Sequence, residues 1–559
     1  MRFELGIAAI LAGASCASPS GTSSLADSLG APPACGTEAD GAAALVALHL
    51  YAGKTASPPS GPGRDRDVDD IAILEDRGDL VIRRNLFDLD GAALRFTPNA
   101  AGGYDVTRLA LAPDPPGTPL GLRSGESRPL DLPFAFPFYG VGRSRVFVNA
   151  DGNLTLDSPD AGPGDKGLAR FLSGPPRIAP FFAELDPSRG GAISAQLLVD
   201  RAVILWSAVP GGGQINRNTF QVTLHPDGAL DMVYGTEVET REAVVGVSPG
   251  GASDLVAADL SAGRPAGRAG ALAERFSETE KLDLVSVSRR YLSTHPDIFE
   301  QLVVYTTRPL NPVPGTLAFE INVKNDVQGI GLEVGLDQTA QWGSGGALDS
   351  VAFMDSIDQY LDVDGFEILG HEVGHRWLAR LFFKDRNGTT SRSLLGRGGV
   401  HWSFFLNSEA SVLEGNEIAD RGGGRFQTVD ITRGYSALDQ YAMGLRPPEE
   451  VPPFFWVEDP DDFRPNRAFK FSSAPEAGVS FTGVRRDVRM EDVIAAMGPR
   501  VPDAGHAPRR LRQAFVLVAD AQAPATEARV AALARIRARF TPYYRQATGG
   551  RGDVDSTLP

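Results

Sequence analysis

Cysteine is almost missing from this chain: 559 residues contain Cys16 and Cys35 and no others. Both lie near the N-terminus, so disulfides do not hold the body of the protein together. Positive charge is in deficit, with 54 Lys and Arg against 70 Asp and Glu and a net charge of −16. Such a chain repels phosphate backbones, and no local basic stripe offsets this, which excludes nucleic acid as a partner. Apolar runs long enough to span a bilayer do not recur along the chain, which excludes a polytopic membrane protein. Disorder is excluded too, because 42% of residues are hydrophobic and 22% charged. Histidine is scarce at seven residues, so any clustering of histidines carries information. Glycine (63) and proline (41) are abundant, which favours turn-rich β architecture.

The N-terminus reads as an export signal over residues 1–16: Arg2 precedes an apolar run from Leu5 to Ala14 that is too short to span a bilayer. Ala14-Ser15-Cys16 resembles the end of a bacterial lipoprotein signal, although Gly13 stands where that pattern wants Leu, Val or Ile. Ordinary cleavage and lipidation of Cys16 both remain open, and a lipid there would be the one membrane attachment. Residues 17–64 are a Ser/Gly/Pro-rich tether and leader. The expected location is extracellular, outer-surface or periplasmic in a bacterium.

Residues 65–250 carry short apolar alternations broken by turn residues. Arg145–Val148 and Leu154–Leu156 flank Asn149-Ala150-Asp151-Gly152-Asn153, and Phe220–Leu224 and Leu230–Tyr234 flank Pro226-Asp227-Gly228. Runs separated by Asp-Gly turns predict hairpins, hence an all-β sandwich. Phe136-Pro137-Phe138-Tyr139-Gly140, Val146–Leu154 and Arg177–Phe182 with Leu185-Asp186-Pro187 resemble a nidogen-type extracellular domain over about residues 105–250. That resemblance implies adhesion or presentation, with an extracellular matrix or cell-surface ligand, and not catalysis. Gly, Ala and Ser then dominate Pro249–Gly270, which reads as a linker over 251–280.

From 281 to 550 strands and helices intermix, predicting a separate α+β domain, with a tail at 551–559. Gln301–Thr306, Leu317–Val323 and Ala514–Ala519 read as strands. Asp349–Tyr360, about Gly365 to Asp385, Ala437–Leu445, Met490–Met497 and Thr526–Ala547 read as helices. The expected architecture is thus multidomain: an N-terminal β-sandwich followed by an α+β catalytic domain.

His371-Glu372-Val373-Gly374-His375 falls in the second of those helices. Phe366, Leu369, Val373, Trp377 and Leu381 recur every three or four residues, giving a buried stripe. Asp364 with Glu367 suggests a capping-box start, and Asn387-Gly388 a stop. Residues four apart share a helix face, so His371 and His375 can bind one cation, with Glu372 beside it as general base. With histidine this rare, chance would produce such a motif in well under about one chain in a hundred.

Gly370–Trp377 also resembles the active-site helix of the zincin metallopeptidases, over roughly residues 285–550. The resemblance implies Zn2+, peptide hydrolysis through a zinc-activated water, and an edge strand that pairs with extended substrate, a role that falls to Leu317–Val323. Leu378-Ala379-Arg380-Leu381 follow the motif, where metzincins want Gly and a third His, so that subclass is excluded. Related gluzincins and aspzincins take a third ligand, Glu or Asp, from downstream. Asp439 is the preferred ligand on that basis, ahead of His401 and Glu414, and His401 would then donate to the oxyanion. Tyr441 is a weaker alternative for the oxyanion. The rival readings are an adhesion protein whose zinc-binding domain is catalytically silent, and a zinc hydrolase acting on a non-peptide amide. Asp88–Gly91 and Asp362–Gly365 do not continue calcium-loop spacing, and Arg551-Gly552-Asp553 matches an adhesion tripeptide in spelling only.

Overall fold

The computed structural model describes residues 64–559 except 161–165, 252–254, 263–268, 312–315, 364 and 462–468. The signal, Cys16, Cys35, the tether and Asp364 lie outside the described residues. No helix among the described residues is long and apolar enough to cross a membrane.

Two seven-stranded sheets form the sandwich. In the first, Leu255–Ala257, Ala271–Ser277, Glu242–Ser248, Arg177–Phe182, Asn153–Thr155, Val141–Asn149 and Ser127–Phe138 lie side by side. The second orders Tyr104–Leu109, Ala93–Pro98, Leu230–Tyr234, Asn218–Leu224, Ala202–Val209, Ala192–Leu197 and Thr118–Pro119. Both hairpins expected from the Asp-Gly turns are present, and Phe220 faces Tyr234 in the second. Side chains of both sheets share one core around Trp206, Phe220, Phe136 and Phe138. Trp206 stacks on Phe220 with ring centroids 5.1 Å apart.

The stretch taken for a linker is part of this sandwich. Leu255–Ala257 runs parallel to Ala271–Ser277, which in turn pairs with Glu242–Ser248. A small residue on the neighbouring strand lets this stretch pack closely: the Gly246 backbone comes so close to Leu272 and Ala273 that an added Cβ would sit 2.1 Å from the Leu272 carbonyl oxygen.

A third sheet carries the His-Glu-x-x-His helix, and it corrects the boundary at residue 65. Its order is Arg66–Val68, Ile71–Glu75, Arg510–Ala519, Gln301–Thr306, Ser350–Ser356 and Phe319–Asn322, with Asp553–Asp555 pairing beside Arg510–Ala519. Ile71–Glu75, assigned above to the β-rich half, is therefore an interior strand of the sheet that carries the motif helix. The sandwich is inserted into this unit rather than preceding it. Its chain enters and leaves side by side, where Val81–Ile82 pairs with Lys281–Leu282 and Asn85 exchanges both backbone hydrogen bonds with Ser277. Short-range pattern cannot show this, because the pairing joins segments more than 400 residues apart.

Four neighbouring strands of that sheet are parallel, and Phe319–Asn322 runs antiparallel at its edge. Alternate residues serve opposite faces. Ile71, Ile73, Val303, Tyr305, Phe515 and Leu517 join the core holding the helices Phe366–His375 and Glu527–Ala547, whereas Ala72, Leu74, Leu302, Val304 and Val516 meet the helix Leu284–Leu292. Covering both faces explains why Ser350–Ser356 is a fully buried strand and not the helix expected from Asp349 to Tyr360. The last four residues of that range form a short 3-10 turn. The motif helix is also shorter than expected, ending at His375. Asn387-Gly388 instead turns the small hairpin Phe383–Lys384/Thr390–Ser391.

Candidate metal centre

The helix Phe366–His375 buries Leu369 and Val373 against the sheet. Its two internal glycines permit close neighbours. A Cβ at Gly370 would fall 2.6 Å from the ring of Tyr543 on the C-terminal helix. One at Gly374 would fall 2.5 Å from Leu413 Cδ2, so glycine there lets the loop 408–415 lie directly against the helix.

That loop orients the first histidine. His371 Nδ1 donates to the Val412 carbonyl at 2.8 Å, which leaves the Nε2 lone pair available. His401 is held in the same way, Nδ1 donating to the Arg397 carbonyl at 2.9 Å. This is the arrangement of metal-binding imidazoles, in which the second nitrogen is fixed by a backbone carbonyl. His375 departs from it, since its buried Nδ1 makes no hydrogen bond to the described residues. Its Nε2 lies 3.1 Å from His371 Nε2. Two nitrogens about 2.0–2.1 Å from one tetrahedral ion are about 3.3 Å apart, so this pair fits a single zinc.

One ligand nitrogen from each of His371, His375 and His401 lies within 4.8 Å of the others, and all three residues are buried. Burial pushes His371 down to about 4, and the Arg397 cation acts in the same direction. His375 and His401 are lowered well below the usual histidine value, again chiefly by burial. The three rings are therefore neutral at physiological pH, the form that binds a cation. Glu372, fully buried, follows His371 on the helix.

The residue that meets His371 and His375 is His401 and not Asp439. Asp439 Oδ1 accepts from Trp402 Nε1 at 2.9 Å, and Oδ2 accepts from the Ser436 backbone at 2.8 Å, closing a capping box on the helix Ala437–Met443. Burial raises its pKa to about 6, against the hydrogen bonds from Ser411, Ser436 and Trp402. Asp439 thus holds the residue after His401 and contributes no atom to the histidine cluster. The preference for a downstream carboxylate missed this because a capping box and a ligand read alike in sequence. His401, expected at the oxyanion, lies within the histidine cluster instead. Glu414 also stays off the cluster: Arg397 engages it from both Nε and Nη2, the closest contact being 2.6 Å. Tyr441 accepts from the Arg500 backbone at 3.1 Å and packs in the core.

Arg397 is the residue the sequence reading missed. Its Nη2 donates to His401 Nε2 at 3.0 Å while the guanidinium grips Glu414. The available signal was a basic residue within Gly396-Arg397-Gly398-Gly399, one helical turn's length before a rare histidine.

Residues 115–274 match the family model of the NIDO-related domain. The match supports the nidogen-like reading of the sandwich and extends into the strand Ala271–Ser277, past the boundary expected at 250. No curated protein and no solved structure gives a significant match to the chain.

Proposed function

We propose that this chain is a secreted or surface-anchored zinc-dependent metallopeptidase with a nidogen-like domain inserted into its catalytic unit. The observation that carries this reading is the convergence of His371, His375 and His401, with Glu372 next to the first of them on the same helix. The residues fit zinc: three neutral imidazoles, two with the second nitrogen fixed by a carbonyl, leave a tetrahedral ion one position for substrate or water. A zinc ion held there supplies Lewis acidity to the scissile carbonyl and its nucleophilic water. Glu372 takes the proton from that water and returns it to the leaving nitrogen. Phe319–Asn322, the outermost strand of its sheet, offers its outer backbone edge to an extended peptide. The sandwich positions the enzyme on a matrix or cell-surface ligand, consistent with export and attachment through Cys16.

Complete burial of Glu372, His375 and His401 favours a second reading, a cation held for structure alone in an adhesion protein. One experiment separates the two. Glu372→Gln keeps size but removes the proton acceptor, so the protein should retain zinc and lose at least about a hundredfold in turnover against a mixed protein substrate. A parent that binds zinc yet cleaves neither peptides nor cell-wall amides refutes the hydrolase. Cleavage at the parental rate by Glu372→Gln refutes this mechanism.

A further inference from the structure

With His401 among the metal-binding residues, the negative oxygen that develops during peptide hydrolysis needs another partner. We propose that Arg397 is the group that pairs with this oxyanion, an inference that rests on the hydrolase reading above.

The geometry supplies each requirement. Arg397 Nη2 lies 3.0 Å from His401 Nε2, so a guanidinium donor reaches the atom at which any bound cation would sit. A lone pair serves one partner at a time, so a cation on His401 releases that donor toward the substrate. Glu414 meanwhile keeps the guanidinium in place through its hydrogen bonds to Nε and Nη2. Glu414 is itself fixed: it is buried, with φ at +60°, a conformation that costs a non-glycine residue of order 1 kcal/mol and persists only where surroundings enforce it. The Arg397 side chain is 28% exposed whereas the Glu414 side chain is 4% exposed. The pair therefore runs from the interior to the surface beside the histidines, with the cation on the accessible side. Gly398 and Gly399, both at positive φ, shape the turn that carries Arg397. A planar fork matches an anionic oxygen better than an imidazole does, and its charge persists at every physiological pH.

The test uses zinc-loaded full-length protein and two probes. Inorganic phosphate presents anionic tetrahedral oxygens to both zinc and Arg397, whereas acetohydroxamate reports on zinc. Because Arg397→Met leaves the buried Glu414 charge alone, the double variant Arg397→Met/Glu414→Gln is measured beside it. The expected result is phosphate binding weakened by at least about tenfold in both variants, the scale of a charge-assisted hydrogen bond. Acetohydroxamate affinity should hold within about threefold, and zinc should stay at about one per chain. Arg397→Lys, which keeps the charge but not the fork, should fall between. Unchanged phosphate affinity overturns the proposal. So does loss of zinc in the double variant, which would make Arg397 part of the metal site's scaffold. A parent that holds zinc but binds neither probe overturns this proposal together with the hydrolase reading. A parent that binds both probes but cleaves no amide removes the hydrolase reading and with it the oxyanion role, leaving Arg397 as an anion-binding group beside the histidines.

Discussion

Replacing His401 or Asp439 by alanine gives two different losses, and the structure sets the size of each. His401→Ala deletes one of three nitrogens that converge on one point. Zinc sites bind with roughly 10–16 kcal/mol in total, so one of three ligands accounts for about 3–5 kcal/mol, or two to four decades of affinity. Asp439→Ala removes a capping box, worth about 1 kcal/mol, and strips the buried Trp402 Nε1 of its acceptor, about 1–3 kcal/mol more. Its cost is therefore about 2–4 kcal/mol of folding stability. Its effect on zinc is transmitted through Trp402 to His401, within the tenfold to about hundredfold range of outer-shell residues. Competition with a chromophoric chelator reads the affinities, and urea unfolding of the metal-free protein reads the stabilities. His401→Ala should shed zinc with modest destabilisation; Asp439→Ala should be the less stable of the two yet still bind zinc. Equal zinc loss from both, with Asp439→Ala as stable as the parent, would make the carboxylate a ligand and refute the assignment of the third position.

Three further outcomes follow from the fold. Gly374→Val forces a branched side chain into Leu413 and Leu378; it should cost about 1–3 kcal/mol by overpacking and weaken zinc binding about tenfold or more as Val412 leaves His371, read by the same two assays. Asp439, raised to about 6 in the folded protein, keeps a proton that the unfolded chain releases near pH 4. Its favourable contribution is full below about pH 4 and is lost as pH rises through about 6, a fall of about 3 kcal/mol that should be missing from the urea-unfolding pH profile of Asp439→Asn. A fragment starting at residue 281 lacks the interior strand Ile71–Glu75 and should be insoluble. Joining Arg84 to Glu278, whose side chain and carbonyl are 3.1 Å apart, should instead give a soluble, zinc-binding protein when expressed and assayed for metal; failure of the joined form would show that the sandwich is needed for the histidine-bearing unit to fold.

What the sequence determined by itself was local. Hairpins at Asp151-Gly152 and Asp227-Gly228, the strand Gln301–Thr306, and the one-turn spacing of His371 and His375 all follow from periodicity and turn chemistry over a few residues. The family match over 115–274 is likewise a property of a continuous segment. Tertiary structure decided whatever depends on distant segments meeting. Ser350–Ser356 is a strand because neighbours on both sides and helices on both faces accept its apolar run, which read alone suits a helix equally well. Ile71–Glu75 belongs to the sheet that carries the histidine helix because Arg510–Ala519 lies beside it. His401 rather than Asp439 completes the cluster because a loop pressed against Gly374 and a cap closed on Ser436 leave the imidazole facing the other two rings and turn the carboxylate away. Spacing names the residue types that can bind a metal, but only packing aims them.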